Sequence, residues 1–363
     1  MRTSTTITPT RRAPRHRAST SLFVVIALAF LWILTACGGT TGNETTDTKS
    51  SGEASAPLVY GVFATPLEEP WDGAIHAALQ SAAADGTITY KHVDDLNTSD
   101  AMERGLRDIC ENEKPAAIVG DAFAAEEAVR KVAADYPDIV FAFGSGEKAQ
   151  SPNLSVFDNW LQDPAYLAGM LSGGLTKSNT IGVVAAMPIP EVNRIVNGYI
   201  AGVKKTNPDA TVKVSFINSF FDPAAAKQAA EAQIAAGADV LFAERAGVIE
   251  AAQEADLPVI GMMVDQQSEA PQNVVTSLVW NVRPTIDAVV AQVGGAPQGV
   301  DLGEFSFIKA GGSSIATINT DVVGGVPQDL IDQVTEVEAS MESGAFTTPV
   351  DESSPKGSID VSE

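Results

Sequence analysis

Residues 181–209 read IGVVAAMPIPEVNRIVNGYIAGVKKTNPD and contain one complete strand–loop–helix unit. The continuous apolar start predicts a strand over Thr180–Ala185 that is covered on both faces, as in a parallel sheet. After a loop with two prolines, apolar residues recur at helical spacing over residues 191–205. A buried strand followed at once by an amphipathic helix is the repeating unit of an α/β fold.

The same alternation continues on both sides of this segment. Strand and helix patterns alternate over residues 58–143 and again over residues 212–343. Asp222-Pro223 predicts the start of one helix, because Asp accepts hydrogen bonds from free N–H groups and Pro fits the first turn. We therefore expect an α/β fold of mainly parallel sheets flanked by helices. One large sheet or two smaller ones would give the same pattern, so the alternation leaves that choice open.

The N-terminus has the pattern of an export signal. Five arginines precede an apolar run of about 13 residues, which is shorter than the roughly 20 that a membrane-spanning helix needs. The run ends in Leu34-Thr35-Ala36-Cys37, a lipobox, so residues 1–36 are predicted to be a lipoprotein signal peptide. In bacterial lipoproteins such a cysteine is acylated after cleavage, so Cys37 is expected to anchor the chain on the extracytoplasmic face of the cell membrane. Residues 37–57 are rich in Gly, Ser and Thr and predict a flexible tether.

The composition argues against nucleic acid as a partner. The chain has 23 Lys and Arg against 46 Asp and Glu, and cleavage of the signal would remove five of the arginines. Phosphate backbones are bound by clustered cations, which this sequence lacks. Apart from Cys37, the chain has one cysteine, Cys110, which has no partner for an intramolecular disulfide. The helical pattern around Cys110 predicts a small core residue.

The sequence gives little support for catalysis or for metal binding. Beyond the signal it contains only His76 and His92, and it has no His/Cys spacing that suits a metal, no nucleophile elbow and no P-loop. We therefore expect no catalytic residues, no metal and no cofactor. The adjacent carboxylates Glu68 and Glu69 leave a secreted nucleoside or glycan hydrolase as an alternative of another class.

The loops that follow the predicted strands hold the candidate binding residues, because ligands of open α/β sheets bind beyond the carboxyl ends of the strands. Three of the four tryptophans fall at predicted strand ends, among Asn, Asp, Glu and Arg side chains. This combination predicts a pocket in which a flat polar ring is stacked and its edge is read by polar groups. Taken singly, each tryptophan would equally pack between sheet and helix. The candidate ligand-binding residues are Trp71, Asp72, Asp121, Phe123, Asn159, Trp160, Asn193, Asn218, Phe220, Glu244, Arg245, Asp265 and Trp280.

Five stretches of the chain carry a resemblance to a known family. They read YLAGMLSG at residues 166–173, the 29-residue segment at residues 181–209, SFFDPAAAKQAA at residues 219–230, GADVLFA at residues 237–243 and DQQSEAPQNVVTSLVWNV at residues 265–282. Together they resemble the basic membrane protein family of substrate-binding lipoproteins, which includes purine nucleoside receptors of ABC importers. The resemblance implies a two-lobed type I periplasmic-binding-protein fold with three crossovers and an ABC permease as partner. It also implies a purine ring held between one aromatic residue from each lobe, here Trp71, followed by Asp72, and Phe220.

Two positions depart from the nucleoside-binding pattern of that family. Where the family has Gly-Val-Asp-Ser-Asp-Gln, residues 261–266 read GMMVDQ, and where it has Ser-Val-Val-Lys, residues 277–280 read SLVW. The sugar-gripping Asp and Lys are thus replaced by Met263 and Trp280, and ribose hydroxyls buried without partners cost about 1–3 kcal/mol each. We therefore expect a purine nucleobase or a similar small heteroaromatic ligand rather than a nucleoside, with Trp280 filling the space of the sugar. A receptor of the same fold for a sugar or another signal is the alternative.

The predicted elements also place the two lobes along the chain. A strand at Val274–Trp280 is expected to return to the first sheet and complete it, and a strand at residues 305–309 is expected to join the second sheet. The predicted boundaries are residues 58–157 and 266–304 for lobe 1, residues 158–265 and 305–346 for lobe 2, and residues 347–363 for a disordered acidic tail.

Overall fold

A computed structural model describes residues 55–123 and 125–361 of the protein. The predicted signal peptide, Cys37 and most of the predicted tether lie outside the described residues. The strands are β1 (Leu58–Val62), β2 (Thr89–Val93), β3 (Ala117–Asp121), β4 (Val140–Gly144), β5 (Leu154–Phe157), β6 (Thr180–Ala185), β7 (Thr211–Phe216), β8 (Val240–Ala243), β9 (Val259–Gly261), β10 (Val274–Trp280), β11 (Ser313–Ile315) and β12 (Ile359–Asp360). The helices are α1 (Pro70–Ala84), α2 (Ser99–Asp108), α3 (Glu126–Asp135), α4 (Gln162–Leu175), α5 (Pro190–Thr206), α6 (Pro223–Ala235), α7 (Val248–Glu254), α8 (Arg283–Val290) and α9 (Gln328–Glu342).

The first lobe is built on a sheet with the order β2-β1-β3-β4-β5, in which every pair is parallel. Strands β3, β4 and β5 are buried along their whole length, as expected for parallel strands that are covered on both faces. Helices α1, α2 and α3 connect the first four strands. The carboxyl ends of β1, β3 and β4 therefore lie at one edge of this sheet.

The second lobe is built on a sheet with the order β11-β10-β9-β8-β6-β7-β12, in which β11 pairs antiparallel to β10 and the other pairs are parallel. The expectation that Val274–Trp280 completes the first sheet is wrong, because β10 pairs with β9. Nearly all of β10 is buried, so its apolar pattern fits the centre of either sheet. The strand expected at residues 305–309 is also wrong. Two helical turns occupy Gly303–Ser306 and Ile308–Ala310, and the second ends at Gly311 with φ of +71°.

The chain passes between the lobes three times, as the resemblance implied. It enters the second lobe after β5 and leaves it after β10, where α8 packs on the first lobe through an ion pair of Arg283 with Asp85 at 2.7 Å. Residues 300–302 then run beside β5, with the Leu302 N–H donating to the Val156 carbonyl at 2.8 Å. The third passage leads to β11 and α9. The expected α/β architecture of two lobes, each with a largely parallel sheet, is confirmed.

Helices α4 and α5 approach each other so closely that glycine is required at the contact. A Cβ atom on Gly202 would lie 1.9 Å from the Tyr166 carbonyl oxygen, and one on Gly169 would lie 2.1 Å from the Tyr199 carbonyl oxygen. Both distances are shorter than any real contact, so a larger residue at either position would force the helices apart. This packing explains the glycines of the YLAGMLSG stretch and of α5, and it fixes the orientation of α5 in the second lobe.

The expectation of a disordered tail is wrong for residues 347–361. The Thr348 N–H donates to Asp163 Oδ1 at 2.7 Å, and Asn193 Nδ2 donates to the Glu352 carbonyl at 3.0 Å. The tail ends in β12, which pairs with the edge strand β7. The tail has no periodic pattern of apolar residues. Hydrogen bonds to its backbone from polar side chains on other elements hold it in place instead. We call residues 347–361 the C-terminal strap.

Two further observations concern the buried cysteine and the apolar character of the helices. Cys110 is buried and has no disulfide partner within residues 55–123 and 125–361, which confirms it as a core residue, and burial raises the pKa of its thiol to about 12. Across residues 55–123 and 125–361, none of the helices combines the length and apolar character needed to cross a lipid bilayer.

Candidate functional site

A cavity lies between the lobes, at the carboxyl ends of strands from both sheets. It holds about 380 Å³ of empty space, counted out to its mouth. The first lobe contributes loops after β1, β3 and β4, and the second lobe contributes loops after β6, β7 and β8. Its walls are formed by Thr65, Glu69, Trp71, Asp121, Phe123, Ser145, Glu191, Phe220 and Arg245. We call this the central cavity.

The loop after β1 is shaped by two carboxylates of the following helix. Asp72 Oδ2 accepts hydrogen bonds from the Thr65 N–H at 2.9 Å and the Thr65 hydroxyl at 2.6 Å. Glu69 Oε2 caps α1 by accepting from the N–H groups of Trp71 and Asp72 at 2.9 and 3.1 Å. These bonds hold Trp71 in the first turn of α1, with its ring against the cavity.

Aromatic rings form both sides of the central cavity. Trp71 is supported from behind by Phe157, whose ring is nearly parallel at a centroid distance of 6.3 Å, and by Trp280 at 5.0 Å. Phe123 of the first lobe meets Phe220 of the second lobe edge to face at 4.8 Å. The cavity therefore has an aromatic ring from each lobe, which is the arrangement that the resemblance implied for Trp71 and Phe220.

Arg245 is the cation of the central cavity, and its N–H groups are directed at protein acceptors. Nη2 donates to Glu244 Oε1 at 2.8 Å, and Nε donates to Glu244 Oε2 at 2.9 Å. Nη1 donates to the Phe220 carbonyl at 2.9 Å and lies 3.4 Å from Glu69 Oε1. The contact with Glu69 joins the two lobes, because Glu69 belongs to the first lobe and Arg245 to the second.

Five carboxyl groups in or behind the wall have raised pKa values, and burial is the largest cause for each of them, including Glu69 and Glu244. Burial is the largest cause that raises the pKa of Asp72 to about 7, and the hydrogen bonds from Thr65 lower this pKa by a smaller amount. Burial and the neighbouring Asp72 raise the pKa of Asp121 well above its usual range. Burial, followed by the charge of Asp158, raises the pKa of Glu191 to about 8. These groups are crowded by protein atoms and by each other, so the empty cavity favours their protonated forms.

A second cavity shares Arg245 with the central cavity and holds about 960 Å³ of empty space. Its other walls include Glu68, Glu244, Met262 and Met263. Met263, at the position where the resemblance implied a sugar-gripping Asp, adopts a φ of +70°. The side of Arg245 that faces this second cavity is thus lined by thioethers and carboxylates.

The structure brings five of the predicted residues together in the wall of the central cavity: Trp71, Asp121, Phe123, Phe220 and Arg245. Three others stand directly behind it. Asp72 holds the loop at Thr65, Glu244 holds Arg245, and Trp280 is buried behind Trp71, with its Nε1 donating to Ser306 Oγ at 3.2 Å. Trp280 is therefore placed behind the aromatic wall and not in the cavity itself.

The remaining predicted residues lie elsewhere. Asn159 and Trp160 contact Arg194, whose guanidinium carbon stands 4.2 Å from the centre of the Trp160 ring. Asn193 donates to the Glu352 carbonyl of the C-terminal strap. Asn218 Nδ2 donates to Asp360 Oδ2 of the strap at 2.5 Å, and the exposed Asp265 accepts from the Gln267 N–H.

Four wall residues were missing from the sequence-based set: Thr65, Glu69, Ser145 and Glu191. All four follow strands that the alternation had predicted, so the strand-end rule would have included them. Glu69 was not among the predicted ligand-binding residues, yet it is buried, whereas its neighbour Glu68 is exposed. The cap that Glu69 forms on α1, a carboxylate directly before Pro70, was the available signal.

The groups present are suited to binding. Among the residues that the structure describes, no group of three or more His, Cys, Asp or Glu side chains is arranged to hold a metal ion. His76 lies on α1 with its Nδ1 2.8 Å from the Tyr90 hydroxyl and does not line the central cavity. The cavity can stack a flat ring and accept hydrogen bonds from its edge.

Known proteins resemble the chain in sequence. Residues 65–342 match the family model described as ABC transporter substrate-binding protein, PnrA-like, or Bmp. The chain is 32% identical over 252 residues to a putative ABC transporter glucose-binding protein of Haloferax volcanii, a match that covers 68% of this chain and 64% of the relative. It is 28% identical over 226 residues to a purine-binding protein of Brucella abortus, covering 61% of this chain and 62% of the relative. The matches thus span a little under two thirds of the length of these curated relatives.

Solved structures agree on the fold. A solute-binding protein of an ABC transporter system from Conexibacter woesei has a TM-score of 0.64 at 22% identity, covering 81% of this chain and 99% of that chain. A solute-binding protein from Aeropyrum pernix K1 has a TM-score of 0.67 at 21% identity, covering 81% of this chain and 94% of that chain. Together with the family match over residues 65–342, the fold and the inter-lobe cavity place the chain in one family: it belongs to the Bmp family of PnrA-like ABC transporter substrate-binding proteins.

Proposed function

We propose that the protein captures a purine nucleobase or a similar small heteroaromatic molecule outside the cytoplasmic membrane and delivers it to an ABC importer. The observation that carries this proposal is the central cavity, whose walls present an aromatic ring from each lobe together with carboxylates. Stacking on each ring contributes about 0.5–1.5 kcal/mol, and carboxylates accept hydrogen bonds from ring N–H groups. Binding without chemical conversion is the activity.

The lining of the cavities favours a base over a nucleoside. Trp280 packs behind Trp71 and holds its ring against the central cavity. Met263 lies in the wall of the adjoining cavity, and its thioether is only a weak acceptor for a ribose hydroxyl.

Closure of the lobes is expected to follow binding. The ion pair of Glu69 with Arg245 and the edge-to-face contact of Phe123 with Phe220 both cross between the lobes. A ligand that touches both walls binds the closed state more tightly than the open one and so shifts the equilibrium toward closure. The three passages of the chain between the lobes would serve as the hinge.

Retention near the importer would come from a lipid on Cys37, followed by a tether up to residue 57. The lipobox supports this part of the proposal. Replacing Cys37 with Ser should abolish incorporation of labelled fatty acid and release the protein from the membrane fraction. Membrane association unchanged in that variant would contradict the lipid anchor. The partner in the membrane would be an ABC permease.

The ligand is tested by two measurements on the purified protein. Mass spectrometry of small molecules released on denaturation should identify a heteroaromatic compound, recovered chemically unchanged after incubation with the protein. Calorimetric titration with adenine, guanine, hypoxanthine and their nucleosides should show tighter binding of the bases. A preference for nucleosides would contradict the base assignment, and no binding of any ring would contradict the proposed ligand class.

A sugar ligand is the second candidate, because the relative from Haloferax volcanii is described as a putative glucose-binding protein. Glucose is therefore included in the titrations. Replacing Phe220 with Ala should weaken base binding by about tenfold, which corresponds to about 1.4 kcal/mol. Tight binding of glucose in place of all the bases would favour the sugar receptor.

A further inference from the structure

The charges around the central cavity are unbalanced. Glu69, Asp121 and Glu191 line it, while Asp72 and Glu244 stand directly behind its wall. Arg245 is the basic side chain in the same wall. If every group were ionised, five negative charges would face one positive charge. Such an excess strongly disfavours a ligand that carries a carboxylate or a phosphate.

Arg245 is largely neutralised before any ligand arrives. Its side chain makes two hydrogen bonds to the Glu244 carboxylate, lies 3.4 Å from Glu69 and donates to the Phe220 carbonyl. Its guanidinium group also stands 5.6 Å from the centre of the Phe220 ring. Because its donors already have partners, Arg245 shapes the cavity and gives little attraction to an anion.

Two carboxyl groups of the wall have no cation as a hydrogen-bond partner. Asp121 Oδ1 accepts from the Phe123 N–H at 2.8 Å. The carboxyl group of Glu191 receives no hydrogen bond from any residue that the structure describes. The charged groups that act on Glu191 are Asp158, Arg194, Glu244 and Arg245, and both arginines are engaged by other carboxylates.

The wall also holds a polar atom that has no hydrogen-bond partner. Trp71 is 7% exposed and lines the cavity, and its Nε1 has no partner among the described residues, so this N–H can donate to an acceptor atom of a ligand ring. The rings of Trp71, Phe123 and Phe220 surround the same space, and faces of aromatic rings attract cations. Carboxyl groups without a cationic partner and aromatic faces together form the chemistry that recognises a cationic ring.

We propose that the ligand of the central cavity carries a formal positive charge on its heteroaromatic ring or on a group attached to that ring. This inference rests on the proposed function, since it names the charge of the ligand that the inter-lobe cavity takes. The positive charge would lie between Glu191 of the second lobe and Asp121 of the first lobe. It would therefore add an electrostatic attraction that draws the lobes together.

The first test compares neutral rings with their methylated cations on the wild-type full-length chain. Suitable pairs are nicotinamide with N1-methylnicotinamide, and 9-methylguanine with 7,9-dimethylguaninium, because each pair differs by one methyl group and one charge. At least one cation should bind roughly tenfold or more tightly than its neutral parent, and added salt should reduce this difference. If the neutral member binds as tightly as the cation in both pairs, the inference is overturned.

The second test uses a charge-removing variant with a matched control. Glu191→Gln should weaken binding of the cation by about tenfold and weaken binding of the neutral parent by a clearly smaller factor, because only the cation loses a charge–charge attraction. Glu231→Gln removes a charge from the exposed face of α6, and both affinities should stay within about twofold of wild type. Equal losses for cation and neutral ring in Glu191→Gln would overturn the inference.

The third test is the sign of proton exchange, measured by titration in two buffers of different ionisation enthalpy. At pH 7 the Glu191 carboxyl of the empty cavity holds its proton, because its pKa is raised to about 8. A bound cation lowers that pKa, so protons should be released, whereas a neutral ring in the same place should release none. Proton uptake with the cation would overturn the inference. Failure of every ring to bind would instead refute the proposed function together with it.

Discussion

Arg194 connects α5, the first passage between the lobes and the C-terminal strap, and its removal should be costly. Its side chain is 3% exposed. Nη2 donates to Asp158 Oδ2 at 2.6 Å, Nη1 lies 3.4 Å from Glu352 Oε1, and the guanidinium group stacks on Trp160. Arg194→Met keeps the apolar stem of the side chain and removes these contacts.

The expected loss can be divided among the contacts. A charge-assisted hydrogen bond such as that to Asp158 contributes about 1.5–3 kcal/mol, and the stack on Trp160 adds about 0.5–1 kcal/mol. The contact with Glu352 adds little, because that carboxylate is 43% exposed and solvent screens it. Arg194→Met should therefore lower the free energy of unfolding by about 3 kcal/mol, and Glu352→Gln by less than about 1 kcal/mol.

The assay is urea unfolding at pH 7, followed by circular dichroism and by tryptophan fluorescence. The matched control is Arg104→Met on the exposed face of α2, which should change the free energy of unfolding by less than about 0.5 kcal/mol. If Arg194→Met and the control lose the same amount, the guanidinium group does not stabilise the fold and the reasoning is refuted.

Three further predictions follow from the described contacts. The pKa of Glu191 is raised in the folded chain, whereas in the unfolded chain this carboxyl group releases its proton near its ordinary pKa of 4.5. The folded chain therefore binds more protons between these two values, so thermal stability should fall as pH rises toward about 8. The fall should be shallower in Glu191→Gln, and an equal slope would contradict the assignment. Gly202→Ala places a methyl group 1.9 Å from the Tyr166 carbonyl oxygen and should lower the free energy of unfolding in urea by about 2 kcal/mol. The control is Gly295→Ala, whose added methyl group would have its nearest neighbour at 3.6 Å and should leave that free energy unchanged. Equal losses in the two variants would count against the close contact of α4 with α5. Deleting residues 347–363 should lower the melting temperature and speed hydrogen exchange in α5, and unchanged exchange there would show that the strap does not hold α5.

The sequence predicted the elements and the general position of the site, because both depend on local patterns. Hydrophobic periodicity identifies buried strands and amphipathic helices, and parallel strands bring their carboxyl ends to one edge. For that reason the loops containing Trp71, Asp121 and Phe220 were expected near a ligand, and all three residues line the central cavity. The glycine-rich stretch at residues 166–173 likewise carried the family resemblance, because close contact of α4 with α5 allows no side chain there.

The tertiary structure alone decided which side chains of those loops face the cavity. Glu191, Asn193 and Arg194 follow one another at the start of α5, yet successive helical residues point about 100° apart. Glu191 therefore lines the cavity, while Asn193 contacts the strap and Arg194 contacts the passage between the lobes. The rotation of α5 is set by its contact with α4, and the residues of α4 that make this contact lie outside residues 190–206.

Pairing between segments also determined to which sheet β10 belongs and that the strap is ordered. Strand β10 is apolar on both faces, so its sequence fits either sheet, and only pairing with β9 assigns it to the second lobe. The strap is polar and has no core of its own, so its sequence indicates disorder. Donors from Asn193 and Asn197 and pairing with β7 order it nevertheless. The composition of a segment indicates how much apolar surface it can bury. The contacts that hold the strap depend on partners more than 100 residues away in the chain, which its composition does not indicate.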